Sequence, residues 1–131
     1  MNLEIRGTDK WGSGAYGAGR SGGRKHDGVD IVAEVGAPVY ALDDGVYERV
    51  ARPYKDDARY VGLAVRAADG TLYKYFYVAP GLSIGAKIKK GDLIGQAQDI
   101  AARYPSITPH WHFEVRDARG QALDPAPWLE G

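Results

Sequence analysis

Apolar and polar positions alternate over short stretches along most of the chain, and glycine, proline and Asp-Gly pairs cut them into pieces too brief for helices. Val29 to Val32, Pro38 to Leu42 and Val46 to Val50 read as short strands, with turns at Gly36-Ala37-Pro38 and Asp43-Asp44-Gly45. Tyr60 to Ala67 and Thr71 to Val78 follow, joined by Asp69-Gly70, a pair that accepts positive φ and so signals a hairpin. Because side chains alternate with period two, Tyr73, Tyr75 and Tyr77 are expected to share one face of the second of these strands. Lys87 to Gln96 predicts a strand, a glycine turn and another strand, and His110 to Arg116 a last one. Asp99 to Tyr104 is the one segment with room for helical turns, stopped by Pro105, and a Pro-containing tail runs to Trp128. Gly7 to Arg24 has no period. Its Gly, Ser and Ala make it a loop, and Trp11 and Tyr16 predict that the loop packs on the body of the domain. The pattern is mainly β, with residues 1–131 as a single domain of antiparallel, short-stranded sheets and residues 1–24 as a loop laid on its body.

Composition narrows the chemistry. In 131 residues, 17 Lys plus Arg balance 17 Asp plus Glu, which argues against nucleic acid as the main partner, because phosphate binding rests on a basic face. A chain of this length buries roughly two thirds of its unfolded surface and needs no staple to fold. With 0 Cys there is neither a disulfide framework nor a thiolate metal site. No stretch approaches the roughly 20 apolar residues of a membrane span, and the start, Met1 to Lys10, lacks the basic flank and apolar run of a secretory signal. As written, the chain is expected to begin in the cytoplasm and to be a monomer.

The candidate chemistry lies in the histidines. There are 3, and they fall into two patterns, His26-x-x-x-Asp30 and His110-x-His112. In a strand, residues i and i+2 project from one face, so His110 and His112 can converge, and a turn-to-strand segment brings His26 and Asp30 together. Zinc takes imidazole nitrogen and carboxylate oxygen, and a catalytic site keeps three protein ligands and an open position. Two His and one Asp meet that need, with one His in reserve. An isolated His-x-His arises by chance, but every histidine falling in a ligand-like spacing favours a metal.

Gly23-Arg24-Lys25-His26-Asp27-Gly28-Val29-Asp30-Ile31, Gly36-Ala37-Pro38-Val39-Tyr40-Ala41, Asp44-Gly45-Val46, Ile88 to Gly95 and His110-Trp111-His112-Phe113-Glu114-Val115 occur in that order, and together they resemble the LytM and lysostaphin-type zinc metallopeptidases. The resemblance implies a β fold with an open groove and Zn2+ as cofactor. It further implies His26, Asp30 and His112 as metal ligands and His110 as the catalytic histidine. The implied activity is endopeptidic cleavage of peptidoglycan peptide cross-links by metal-activated water. Such a substrate lies in the periplasm or cell wall, which a chain without a signal reaches only by delivery, through a partner or a fused domain.

One position departs from the family pattern. Where the family usually has a second catalytic His in Tyr-x-His-Leu, this chain has Tyr75-Phe76-Tyr77-Val78, and each His already has a place. In this respect it is similar to the leukocyte cell-derived chemotaxin 2-like branch, which keeps the zinc fold without known peptidase activity. Tyr77, a phenol with an ordinary pKa near 10, can donate a hydrogen bond to an oxyanion but is a poor proton acceptor near pH 7. Two readings follow: an endopeptidase in which Tyr77 serves catalysis beside His110, or a non-catalytic zinc-binding module for cell-wall or protein ligands. A third leaves the His cluster structural or idle.

Trp11, Tyr16 and Tyr54 are candidates to line a groove for a slim peptide, whereas Trp111 alternates with the two histidines and is expected in the core. Arg20, Arg24 and Lys25 read as solvated loop charge, with substrate carboxylates as their second use.

Overall fold

The structure is a computed structural model that describes residues 3–9, 11–20 and 25–129. Among these residues the strands are β1 (Val29–Val32), β2 (Pro38–Tyr40), β3 (Gly45–Ala51), β4 (Gly62–Arg66), β5 (Leu72–Phe76), β6 (Val78–Pro80), β7 (Lys87–Ile88), β8 (Leu93–Ala97), β9 (His110–Arg116) and β10 (Ala122–Leu123). The larger sheet runs β1-β9-β5-β4-β3-β7, with β10 also on β9, and a smaller one runs β2-β8-β6. Every named pairing is antiparallel. The segments around Pro38 and around Leu93, each next to a glycine turn, pair directly as β2 and β8.

Alternation decides which side of the large sheet each residue serves. Trp111, Phe113 and Val115 of β9 and Tyr73 and Tyr75 of β5 face the small sheet, where they form the main core with Leu63, Val65, Val39, Val78 and Ile94. Trp111 is buried there, as expected, and stacks on Tyr75 with ring centroids 5.8 Å apart. Burial of each such large side chain is worth about 1.5–3 kcal/mol. The intervening positions, His110, His112 and Glu114, face the other side, together with Asp30 opposite His112 and Phe76 opposite His112 on its other flank.

Two expectations change. The stretch from Thr71 to Val78 is not one strand: Tyr77 has φ 63°, and the chain there leaves the large sheet (β5) for the small one (β6). The left-handed turn breaks the period of two, so Tyr73 and Tyr75 point into the core but Tyr77 swings to the opposite side. The Val61 carbonyl holds the bend by accepting from the Tyr77 and Val78 amides at 2.9 and 3.2 Å. At the other end, the tail closes in one helical turn (Ala126–Leu129) with Trp128 packed on the core. The helical turn predicted near Asp99 is a 3-10 turn at Ile100–Ala102. Among the described residues, no helix is long and apolar enough to cross a membrane.

The N-terminal loop lies on the body along its described parts. Ile5 bridges to Ile31, and the Trp11 indole donates to the Pro105 carbonyl at 3.1 Å while its ring meets Tyr104 edge-on at 5.1 Å. The turn before β1 needs Gly28: a Cβ there would run into the Phe113 carbonyl oxygen, the Glu114 side chain and the His112 ring.

Candidate metal centre

The ladder between β1 and β9 places Asp30 directly opposite His112, and the turn at Asp27-Gly28 folds His26 over the pair. Three ligand atoms converge. His112 Nδ1 lies 2.9 Å from Asp30 Oδ1, His26 Nε2 lies 3.0 Å from His112 Nδ1, and His26 Nε2 is 3.3 Å from Asp30 Oδ1. Zinc bonds of about 2.0–2.2 Å set tetrahedral ligand atoms about 3.3–3.6 Å apart. The three groups therefore need to open by only a few tenths of an ångström to hold such an ion. His26, Asp30 and His112 are also the group of His and carboxylate residues that geometry singles out for a cation among the described residues.

Each ring is oriented by what its other nitrogen does. His26 Nδ1–H donates to the Ala15 carbonyl at 3.1 Å, which leaves the Nε2 lone pair facing His112 and Asp30. His112 Nε2–H donates to Glu114 Oε1 at 2.9 Å, so Nδ1 faces Asp30. Arg116 in turn holds Glu114 Oε2 at 3.0 Å. Such outer carboxylate and carbonyl partners fix the tautomer and raise the basicity of a ligating imidazole. Zinc would fit this donor set, because two neutral imidazoles and one carboxylate are the three protein ligands that a catalytic zinc site takes.

His110 occupies a different role in the same cluster. Its Nδ1–H donates to the Thr108 carbonyl at 2.7 Å, so Nε2 carries the lone pair and lies 3.5 Å from Asp30 Oδ2. Burial is the main influence on its basicity and, despite Asp30, pushes its pKa below the usual histidine value. It is the cluster's free base.

The charges follow from the packing. Burial pushes the Asp30 carboxyl up, but the hydrogen bond from His112, the close approach of His26 and the field of His110 outweigh it and hold the group far below the usual range. Burial lowers His112, yet the Asp30 and Glu114 carboxylates overcome that and raise it to about 9. Glu114 sits at about 2, because its bond to His112 and the nearby Arg116 exceed the effect of burial. Without a cation, the cluster therefore keeps a proton on His112. A divalent cation held there would supply positive charge in the place of that proton.

A groove of about 680 Å³ opens over the cluster, walled by Trp11, Tyr54, Phe76, Tyr77, Tyr104 and Ile107. Tyr77 forms the wall beside the bases: its ring meets His110 edge-on at 5.8 Å and stacks on Tyr54 at 6.1 Å. Phenols link it to a cation. Arg103 Nε donates to the Tyr104 hydroxyl at 3.1 Å, Tyr104 and Tyr54 hydroxyls are 2.8 Å apart, and Tyr54 and Tyr77 hydroxyls 3.0 Å. The Arg103 guanidinium also lies over the Tyr54 ring at 3.7 Å. Burial raises the Tyr77 phenol well above its ordinary value, so it stays protonated and a donor.

The structure thus brings together five residues singled out by sequence, His26, Asp30, Tyr77, His110 and His112. Trp11 and Tyr54 line the groove, whereas Tyr16 is exposed elsewhere. Lys25 is exposed at the rim, but Arg20 is half-buried and turns inward, reaching Asp30 Oδ2 at 4.0 Å. Arg24 lies outside the described residues. Sequence reasoning passed over Glu114, which the period-two pattern after His112 could have revealed. It also passed over Arg6, Asp9, Arg103 and Tyr104, which no local pattern reveals.

Comparison with known proteins bears on this geometry. Residues 24–125 match the sequence profile of Peptidase family M23. Leukocyte cell-derived chemotaxin-2 of Mus musculus is 34% identical over 127 residues, covering 96% of this chain and 80% of the relative. Glycyl-glycine endopeptidase ALE-1 of Staphylococcus capitis is 29% identical over 126 residues, 92% of this chain but 33% of that longer protein. Among solved structures, the catalytic domain of the antimicrobial peptidase lysostaphin from Staphylococcus simulans aligns with a TM-score of 0.66 at 28% identity, covering 92% of this chain and 90% of that domain.

Proposed function

Because the chain belongs to peptidase family M23, we propose that it is a zinc-dependent endopeptidase acting on the peptide cross-links of bacterial peptidoglycan, with His26, Asp30 and His112 as the metal ligands. The observation that carries the reading is the convergence of Asp30 Oδ1, His112 Nδ1 and His26 Nε2, with the free Nε2 of His110 3.5 Å from Asp30 Oδ2, on the floor of an open groove. A zinc ion held there supplies Lewis acidity, lowering the pKa of a water molecule toward about 7 and polarising the scissile carbonyl.

The chain's own side chains supply the rest. His110, neutral and fixed by Thr108, takes the proton of the attacking water at Nε2 and returns it to the leaving amine. Tyr77 donates to the carbonyl oxygen as it gains charge. Arg103 donates to Tyr104; the same sense of donation carried from Tyr104 to Tyr54 and from Tyr54 to Tyr77 would leave the Tyr77 proton for the groove, each bond polarising the next. A neutral phenol stabilises an oxyanion less than a cationic imidazole does, so turnover is expected to be modest. Since the substrate lies outside the cytoplasm, delivery to the periplasm or wall is part of this proposal.

Tyr77 favours a second reading, a zinc-binding module that recognises cell-wall or protein ligands without cutting them, and similarity to chemotaxin-2 supports it. Digestion of purified sacculi and muropeptides by zinc-loaded protein from pH 5 to 9, followed by mass spectrometry, separates the two. New peptide termini are the expected result. Intact muropeptides at proven zinc occupancy, with cleavage appearing only in Tyr77→His, establish the second reading instead.

A further inference from the structure

The buried guanidinium beneath the metal cluster comes from outside the family-matched segment. Arg6 is 2% exposed and precedes residue 24, where the match begins. Its Nε and Nη2 both reach Asp30 Oδ2, each at 3.1 Å. Its Nη1 donates to the Gly12 carbonyl at 2.9 Å and lies 2.8 Å from Asp9 Oδ1. Both contacts to Asp30 fall on one oxygen, so they distinguish the two: Oδ2 is taken by the arginine, and Oδ1 is turned toward His26 and His112.

Asp9 continues the connection. Its Oδ1 accepts from the Trp11 amide at 2.8 Å, and its Oδ2 accepts from the Thr108 amide at 3.1 Å. Thr108 is the residue whose carbonyl takes the His110 Nδ1–H. Burial pushes Asp9 up, but the Thr108 and Trp11 amides and Arg6 outweigh it and hold it ionised, at about 2. One unbroken path thus runs from Asp30 through Arg6, Asp9 and Thr108 to His110.

Backbone contacts lock the path against β1. The Arg6 amide donates to the Asp30 carbonyl at 2.8 Å, the Asp30 amide to the Gly14 carbonyl at 2.9 Å, and the Gly14 amide to the Arg6 carbonyl at 3.0 Å. Gly14 permits this closeness. A Cβ there would lie 2.6 Å from the Arg6 Cβ and 3.0 Å from the Asp30 Cβ.

We propose that Arg6 is a positioning residue of the metal centre: it selects Asp30 Oδ1 as the metal-facing oxygen and, through Asp9, fixes the loop that orients His110. The proposal rests on the reading of His26, Asp30 and His112 as zinc ligands. A guanidinium is suited to this task because its planar fork holds a carboxylate in one orientation, which a lysine ammonium on a flexible stem does not. Carboxylates that ligate metals are themselves held by hydrogen bonds, and loss of such a partner typically weakens metal affinity about 10- to 100-fold.

The test compares zinc dissociation constants, by chelator competition at fixed pH, for the parent, Arg6→Lys and Asp9→Asn in the full chain, with circular dichroism to establish folding. Imidazole nitrogen NMR of the zinc-loaded proteins reads the His110 tautomer. In Arg6→Lys, which keeps the charge but loses the fork, zinc affinity is expected to fall at least about tenfold. In Asp9→Asn the His110 Nδ1–H signature is expected to give way to a tautomer mixture. If Arg6→Lys does not fold, Arg6→Gln, with one neutral donor retained, takes its place. A folded Arg6 variant binding zinc within twofold of the parent, even at a lower melting temperature, assigns Arg6 a purely structural role and overturns the proposal. An unchanged His110 tautomer in Asp9→Asn removes the arm to His110. A parent that binds no zinc defeats the ligand reading itself, and this proposal with it.

Discussion

Asp30 and His112 stand directly opposite each other across β1 and β9, with Oδ1 and Nδ1 2.9 Å apart, although 82 residues separate them in the chain. The proton that joins them is the one that a cation held by both groups would displace, so on the proposed ligand set metal binding, protonation and stability are linked at this contact.

The linkage has a sign. His112 is raised to about 9 from an ordinary 6.5, so in the metal-free protein its stabilising contribution is complete below about pH 6.5 and is lost as pH rises toward 9. The full loss is of order 3 kcal/mol. Glu114 and Asp30 are depressed, so their contribution is present above the ordinary carboxylate range and lost only in strong acid. Thermal melts in chelator are therefore expected to show declining stability from pH 6.5 to 9. Zinc affinity should move oppositely, strengthening about tenfold per pH unit over that range. A flat zinc affinity would remove His112 from the ligand set.

His110→Gln separates binding from chemistry. Zinc affinity is expected to stay within a few-fold of the parent, while turnover on muropeptides falls about 100- to 10,000-fold. Because burial lowers the His110 pKa, its base form predominates by pH 6.5, and the acid limb of the parent's rate profile should lie below that value. A limb above pH 7 would identify a different base.

Tyr77→Phe removes the phenol that faces the bases and leaves the Tyr54 hydroxyl short of a partner. Turnover should drop about 100-fold with little change in KM, the pattern of a donor that acts on developing charge. Tyr54→Phe, which breaks the phenol chain one link earlier, should give a smaller loss of about tenfold, since Tyr77 keeps its own proton. Equal rates in all three proteins would exclude the phenol chain from catalysis.

Gly28→Ala tests the backbone that carries the site. A methyl group there meets the Phe113 carbonyl and the His112 ring, so β1 must shift away from β9. A loss of roughly 2–4 kcal/mol in metal-free stability and a weakened zinc site are expected together, measured by denaturant melts and chelator competition. Wild-type stability would mean that the β1–β9 spacing is looser than described.

Local pattern was enough for most of the strands, though not for the break between β5 and β6 or for β10 in the tail, and for the histidines and Asp30 that meet at the cluster. Alternation in His110 to Arg116 separates His110, His112 and Glu114 from Trp111, Phe113 and Val115, and those two sets occupy opposite faces of β9. The same rule failed at Tyr77, where one left-handed residue outweighs the period of two. The Val61 carbonyl that holds that bend stands opposite Tyr77 in the predicted hairpin, but pairing alone does not reveal that the chain turns out of the sheet there. Period and spacing are properties of neighbours in the chain, so they predicted which side chains share a face. The partners of those side chains are another matter: Arg6 beneath Asp30, Asp9 at Thr108 and Arg103 behind the phenols lie far off in sequence or on irregular loops. They were decided only by the tertiary fold, because the burial of a charge is compensated by whatever opposite group the packed chain brings within reach.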